Sequence, residues 1–364
     1  MGNKIDKLFL TSVIILIISG FFIFSSASLG LLAKNESKFT AVAFNQVFFG
    51  LCLGTLALLI TSYIPFKFWK KYSLVIFGFT SILAALVFVP GIGWSHGGAT
   101  RWINVFNINF QPSELLKIGY VFYLAAVFTK YKSKIGEFKY GLLPFMLITG
   151  VVGVLILLEP DNDTFFMMAL AGISMYFVAG AKLKHLGILF LIGIVGFASI
   201  IMMRPYVLNR IMTFINPSEN SLTSGYQIQQ SLIAIGSGGI TGKGFGQSSQ
   251  KFSFLPEPIG DSIFAVASEE FGIIGSVGII VAFLFFALRG LKIASKVNNE
   301  FGRLVVVGIV ILVVVGSFLN IAAMLAIIPL TGTPLIFISH GGTALFIAMA
   351  EVGIILNISR SRSK

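Results

Sequence analysis

Apolar residues run along this chain in long blocks separated mostly by short polar segments. The blocks cover residues 8–24, 44–64, 72–89, 113–128, 140–158, 164–178, 186–203, 262–288, 304–328 and 335–358. About 20 helical residues cross a hydrocarbon layer of roughly 30 Å, so the pattern predicts an all-α polytopic membrane protein with about ten transmembrane helices. One connection breaks the rule of short links. Residues 204–260, between the seventh and eighth blocks, form a polar segment far longer than an ordinary loop. Its stretch GYQIQQSLIAIGSGG has amphipathic content that predicts short helices on the membrane surface. No fixed-period repeat or low-complexity tract interrupts the chain, so residues 1–364 read as one membrane domain with 204–260 as a loop within it.

Composition agrees: 56% of residues are hydrophobic, 11% are charged, and the mean hydropathy is +0.94. The basic residues then give an orientation. With a cytoplasmic N-terminus, 18 lysines and arginines fall inside and seven outside, with Lys117 within a span. The positive-inside rule therefore predicts that both termini are cytoplasmic and that 204–260 is extracytoplasmic. The formal charge of +12 follows from that topology and from contact with anionic membrane lipid. Nucleic acid is excluded as a partner, because the basic residues are spread over six short loops and tails with no continuous basic face. Ser25-Ser26-Ala27 resembles a cleavage site after the first block, but removing that block would leave an odd number of spans, so no cleaved signal peptide is expected. The single cysteine, Cys52, excludes a disulfide and a cysteine-based metal site.

Candidate chemistry concentrates in FLPEPIGDSIFAVASEEFG, residues 254–272. The long polar loop ends there in two prolines and a glycine, Asp261 follows, and an apolar block begins. A carboxylate at a helix start is favoured in its ionised form by unpaired N–H groups and the macrodipole, and could accept a proton from a group arriving at the membrane face. The alternative is an N-cap. Glu269 and Glu270 lie roughly 12 to 13 Å deeper along the same helix and need a polar interior to face. Glu114 and Lys117, three apart at the start of the fourth block, share a face and can neutralise one another, or can meet a ligand directly. Glu159, Asp161 and Asp163 are either ligand groups or solvated loop acids. IGSGGITGKGFG fails as a phosphate loop, since Ser237 and Gly244 occupy positions that the motif reserves for glycine and for serine or threonine. Its glycines instead permit tight turns and close backbone approach. His96, His185 and His340 are scattered and predict no histidine metal cluster. The outer cations oppose the orientation rule and suggest pairing with phosphate.

FLPEPIGDSIFAVASEEFG, GATRWINVFNINFQPSELLKIG, LLEPDNDT, NRIMTFINP and PLIFISHGGTALFIAMAEVGIILNISR resemble, in this order, the motifs of the SEDS family, whose members include FtsW and RodA. The resemblance covers nearly the whole chain. PEPIGDS and the NISR ending are more similar to the division member than to the elongation member, and a sporulation relative stays open. It implies ten transmembrane helices and a peptidoglycan glycosyltransferase that polymerises lipid II at the bacterial cytoplasmic (inner) membrane. By position Asp261 matches the family's catalytic aspartate, while Arg101, Glu114, Lys117, Asp161, Arg210 and Lys251 fall on charged motif positions and become candidate substrate-binding residues. Arg101, Arg210 and Lys251 are expected to gather near the diphosphate. The resemblance further implies a class B penicillin-binding protein as partner, together with other division proteins; the complete SxxK, SxN and KTG constellation that would cross-link peptides does not occur here, since KTG is absent. A divalent cation, magnesium or manganese, is an open expectation with no assigned ligands. Asp163, His340 and Gly316 depart from the usual glycine, tyrosine and glutamine. A lipid II flippase or transporter, and a non-catalytic division scaffold, are the alternative readings.

Overall fold

A computed structural model describes residues 5–96, 99–105, 108–216 and 224–361; of the positions used above, Lys4, Gly98, Phe106, Asn107, Pro217, Arg362 and Lys364 lie outside them. Eight helices among the described residues are long and apolar enough to cross a membrane: Lys7–Lys34, Glu36–Tyr63, Phe66–Phe88, Phe138–Leu158, Leu183–Met203, Ile263–Lys296, Glu300–Met324 and Gly342–Ser359. The expected fourth and sixth spans are also helices, Pro112–Lys130 and Asn162–Val178, of 19 and 17 residues. Glu114 and Lys117 lower the hydropathy of the first, and the second is short. Both pack against Glu300–Met324, so protein rather than lipid surrounds much of their surface.

Glu300–Met324 is the axis of the bundle, with a nearly continuous buried run from Leu304 to Val310. Phe301 ties it to Phe122, and around it Phe9 of Lys7–Lys34 lies 5.0 Å from Phe286 of Ile263–Lys296 between ring centroids. At the face remote from Asp261, Asp6 accepts two hydrogen bonds from Arg289 at 2.8 and 2.9 Å, and its own N–H donates to Ser359 Oγ. Three helix ends are thereby pinned together.

Two features depart from a simple helical reading. Strands β1 (Gly93–His96), β2 (Ala99–Val105) and β3 (Ile108–Phe110) form an antiparallel meander in the order β1-β2-β3, with Gly93 and Phe110 both opposite Ile103. Arg101 stands on β2. The polar segment contains the expected short helices, Pro205–Ile215, Ser224–Ser237 and Gln250–Ser253. Ser224–Ser237, however, packs on Ile263–Lys296 and buries Ile228, Ser231 and Ala234, so it belongs to the body of the fold.

Ile263–Lys296 is broken at Gly272, whose φ of 64° and ψ of −161° are accessible essentially to glycine alone. The break frees backbone groups on both sides. The loop fills them: Lys243 and Gly244 N–H donate to the Glu269 and Glu270 carbonyls at 3.0 Å each, and Ile273 and Ile274 N–H donate to Gly239 and Ile240 carbonyls at 2.9 and 3.2 Å. Irregular backbone at membrane depth is tolerated only where protein or water satisfies it, and here the loop does so. Gly242, at φ 83°, makes the approach possible, because an added Cβ would stand 2.1 Å from the Glu270 oxygen.

Gly272→Ala is therefore expected to destabilise the fold by at least the ~1–3 kcal/mol of backbone strain, with its new methyl 2.4 Å from Gly242 N. Gly278→Ala, whose methyl meets nothing within 4 Å, is the neutral control. Thermal unfolding in detergent compares them; equal midpoints would contradict the broken helix.

Candidate active site

The backbone around Asp261 is fixed from several sides. Gly260 and Ser262 N–H both donate to the Glu257 carbonyl, at 3.0 and 3.2 Å, closing a tight turn in which Glu257 has φ of 45°. The next carbonyls are held by the helix Glu300–Met324 and by the segment that follows it. Ile259 accepts from His340 N–H at 2.7 Å, Gly260 from Ser339 Oγ at 2.8 Å, and Asp261 from Asn320 Nδ2 at 2.8 Å. Asn320, fully buried, also donates to the Thr333 carbonyl, clamping both segments with one amide. Gln46 extends the clamp to the second helix, donating to the Ser339 carbonyl and accepting from Gly341 N–H.

This arrangement removes the capping role for Asp261. The cap position belongs to Ser262, whose Oγ accepts from Gln227 Nε2 at 3.0 Å instead of capping the helix. The Asp261 carboxylate makes no hydrogen bond among the described contacts. The electrostatics also reverse the expectation from helix-start position: burial first, then the Glu257 charge, pushes the Asp261 pKa up to about 6, against the opposing pull of Arg210. The group is ionised at neutral pH yet more basic than an ordinary aspartate.

Arg210, on Pro205–Ile215, reaches this carboxylate's surroundings from one side. Its Nη1 donates to the Leu330 carbonyl at 3.1 Å and lies 3.5 Å from Asp163 Oδ2. The same Asp163 oxygen accepts from Gly332 N–H at 3.2 Å, and a Cβ on Gly332 would stand 4.0 Å from Asp261 Oδ2. Arg101 approaches across the 159–163 turn. Its Nε donates to the Glu159 carbonyl at 3.0 Å, Nη2 donates to the Pro160 carbonyl, and Nη1 lies 3.8 Å from Asp161 Oδ1. The Asp161 carboxylate is engaged locally, capping Asn162–Val178 through Thr164 N–H and accepting from Gln111 Nε2 at 3.3 Å. The solvated-acid reading fails for Glu159 and Asp161, which are 1% and 4% exposed. Glu159 has both carboxylate oxygens buried without a partner, and burial, then Asp161, pushes its pKa up to about 8, so it is mostly neutral at pH 7.

Glu114 and Lys117 are paired at 2.8 Å. The charges of Glu351 and Asp161 also act on Lys117. Lys251 corrects the expected trio of cations. Its ammonium is wholly buried, 2.6 Å from Glu270 Oε1 and 2.9 Å from Ser26 Oγ, and so is not presented as a free cation beside Arg101 and Arg210. Glu269 and Glu270 find their polar interior in the loop: Glu269 accepts from Lys243 Nζ at 2.6 Å and from Ser248, Ser249 and Gln250. The sequence reading missed Glu351, although an acid inside an apolar block is itself a signal. It also missed Asn320, whose clamp depends on segments distant in sequence. Among the described residues no group of three or more His, Cys, Asp or Glu side chains is arranged to hold a metal ion.

Three kinds of comparison bear on this geometry. A family model described as cell cycle protein, FtsW/RodA/SpoVE, matches residues 6–364. Stage V sporulation protein E of Bacillus subtilis (strain 168) is 35% identical over 353 residues, 97% of this chain and 96% of that one. A probable peptidoglycan glycosyltransferase FtsW of Geobacter sp. (strain M18) is 35% identical over 354 residues, again 97% and 96% of the two chains. Among solved structures, a chain of a peptidoglycan synthase complex that coordinates polymerization and crosslinking superposes with a TM-score of 0.80 at 24% identity, covering 98% of both chains. The rod shape determining protein RodA of Thermus thermophilus gives a TM-score of 0.69 at 23% identity over 97% of both.

Two stability outcomes follow from the geometry. Lys251→Met or Glu270→Gln alone strands a buried charge or its partner and is expected to cost about 3–5 kcal/mol, with the double variant losing less than the sum. A double-mutant cycle by thermal unfolding checks this, and additive losses would mean the pair does not interact. For Asp261, the folded pKa is raised, so the ionised form is penalised above about pH 6 and the penalty vanishes toward pH 4. Asp261→Asn is therefore expected to unfold no earlier than the parent at pH 8, any advantage fading at low pH. A loss near 1 kcal/mol at pH 8 from Asp261→Ala that Asp261→Asn does not share would instead signal a cap.

Proposed function

Because this chain belongs to the cell cycle protein family of FtsW, RodA and SpoVE, we propose that it polymerises lipid II into glycan strands during cell division, by inverting transfer with Asp261 as general base. The chain is a multi-pass bacterial membrane protein and a peptidoglycan glycosyltransferase. The observation that carries the residue assignment is Asp261 itself, a carboxylate with no hydrogen bond among the described residues, on a rigidly held turn, with its pKa pushed up to about 6 and held from rising further by the charge of Arg210.

The chemistry needs few groups. The acceptor sugar's 4-hydroxyl oxygen bonds to the donor's anomeric carbon as the carbon–oxygen bond to the diphosphate breaks. The hydroxyl proton passes to an Asp261 oxygen, and the diphosphate leaves as an anion that needs no proton at neutral pH. A base with pKa near 6 is mostly ionised at pH 7 and takes the proton as the new bond forms. Negative charge growing on the leaving group is stabilised by Arg210 and Arg101, held in place by carbonyls before substrate arrives. Among the described residues no three His, Cys, Asp or Glu side chains gather to hold a divalent cation.

The lysine and arginine distribution supports cytoplasmic termini and an extracytoplasmic Asp261 face. The chain lacks KTG and so the complete transpeptidase constellation, and the similar chain from a peptidoglycan synthase complex supports a class B penicillin-binding protein as partner. A flippase would use cations for the same diphosphate, but neither it nor a scaffold would need a freed base beside them.

Purified protein in detergent, with and without that partner, is expected to consume lipid II and yield glycan, where no second compartment exists for transport. Asp261→Asn is expected to reduce polymerisation by ~10²–10⁴-fold, the usual range for a lost general base, with the fold and partner binding intact. Because the ionised base is the active form, kcat/KM should fall about tenfold per unit below pH ~6 and level off above it. Wild-type rates from Asp261→Asn, or lipid translocation in vesicles without polymer, would overturn the reading.

A further inference from the structure

Asp163 Oδ2 is approached by two donors from separate parts of the chain, Arg210 Nη1 at 3.5 Å and the Gly332 backbone N–H at 3.2 Å. A guanidinium and a peptide N–H converging on one oxygen are the elements with which proteins hold phosphate. Both donors are positioned independently of Asp163: Arg210 Nη1 also donates to the Leu330 carbonyl at 3.1 Å, and the Gly332 segment is braced by the Thr331–Thr333 hydroxyl contact and by Asn320 on the Thr333 carbonyl. The site opens to solvent, with Arg210 and Asp163 side chains 39% and 27% exposed. It also adjoins the base, since a Cβ on Gly332 would lie 4.0 Å from Asp261 Oδ2.

We propose that Arg210 and the Gly332 N–H form a diphosphate cradle, and that the Asp163 carboxylate occupies it as an internal stand-in until the lipid-linked diphosphate of the donor displaces it. This rests on the glycosyltransferase reading and names, within it, a binding element and a competitor for it. Relative strengths decide the exchange. A partly exposed pair at 3.5 Å contributes little to stability, so its loss is easily offset. A diphosphate brings more negative charge and more acceptor oxygens to the same two donors. Asp163 has a second effect, because its charge is among those that raise the pKa of Asp261. Displacing it from the cradle would thus couple donor binding to the basicity of the catalytic carboxylate.

The test uses the full chain in detergent and undecaprenyl diphosphate as the probe, measured by direct binding and as an inhibitor of polymerisation. Asp163→Asn keeps an acceptor for Gly332 and removes the charge; Asp163→Gly removes both. Asn is expected to tighten probe binding about three- to tenfold and to lower KM for lipid II by a similar factor, with kcat nearly unchanged at pH 8. The acid limb of the pH profile should move to lower pH. In an Arg210→Gln background the Asn substitution should give no further gain. Unchanged or weaker binding by a variant that unfolds at the parent's temperature overturns the stand-in, as does an equal gain without Arg210. If Asp163→Gly loosens the fold, Asp163→Asn alone decides. Absence of polymer from the unsubstituted protein would fall on the glycosyltransferase reading, whereas the binding measurement bears on the cradle without catalysis.

Discussion

The structure depends on one break in one helix. At Gly272 the chain leaves helical geometry inside the bundle, and the four backbone hydrogen bonds from residues 239–244 fill the gap. Two adjacent acids just before the break hold that loop down, Glu269 on Lys243 and Glu270 on Lys251. Either carboxylate alone would be costly at this depth. Each is matched to a cation carried by the segment that must stay in place, so the attraction that offsets burial also closes the loop over the half-helix. Buried pairs of this kind are weak sources of net stability but can enforce one arrangement over its competitors.

That arrangement determines what happens at the other end of the half-helix. With Ile263–Glu270 anchored at its deep end, the PEPIGD turn is held at its shallow end by Asn320, Ser339 and His340. The carbonyls of Ile259, Gly260 and Asp261 are all occupied, and among the described residues nothing hydrogen-bonds to the Asp261 side chain. A residue fixed in backbone and free in side chain can meet a substrate proton without reorganising. The surrounding acids keep its pKa high, and Arg210 keeps it from rising further.

Much of this was legible in the sequence because membrane burial is written in long apolar blocks, and each of the ten expected blocks holds a helix, although the last helix begins at Gly342 rather than at Leu335. The glycines of GITGKGFG also pointed to close backbone approach, which Gly242 realises against Glu270. Other features depend on contacts between segments far apart. The β meander hides in a short polar link, where alternation in RWINV is too brief to outweigh the apolar blocks around it. Lys251 looked like an outer cation because position along a loop says nothing about depth, and only the Ser26–Glu270 contact shows it buried. The same limit applied to Asp261: helix-start position suggested a stabilised carboxylate, whereas burial and neighbouring acids, invisible in one dimension, raise its pKa.

If the anchored loop and broken helix hold the site that presents Asp261, loosening the anchor must loosen the site. Hydrogen exchange on the Glu269→Gln, Glu270→Gln double variant, read at the amides of Lys243, Gly244, Ile273 and Ile274, measures this. These four amides are expected to lose protection together, along with glycan synthesis, while the Asp6–Arg289 end of the bundle stays protected. Full protection with activity lost, or protection lost with activity retained, would contradict this dependence.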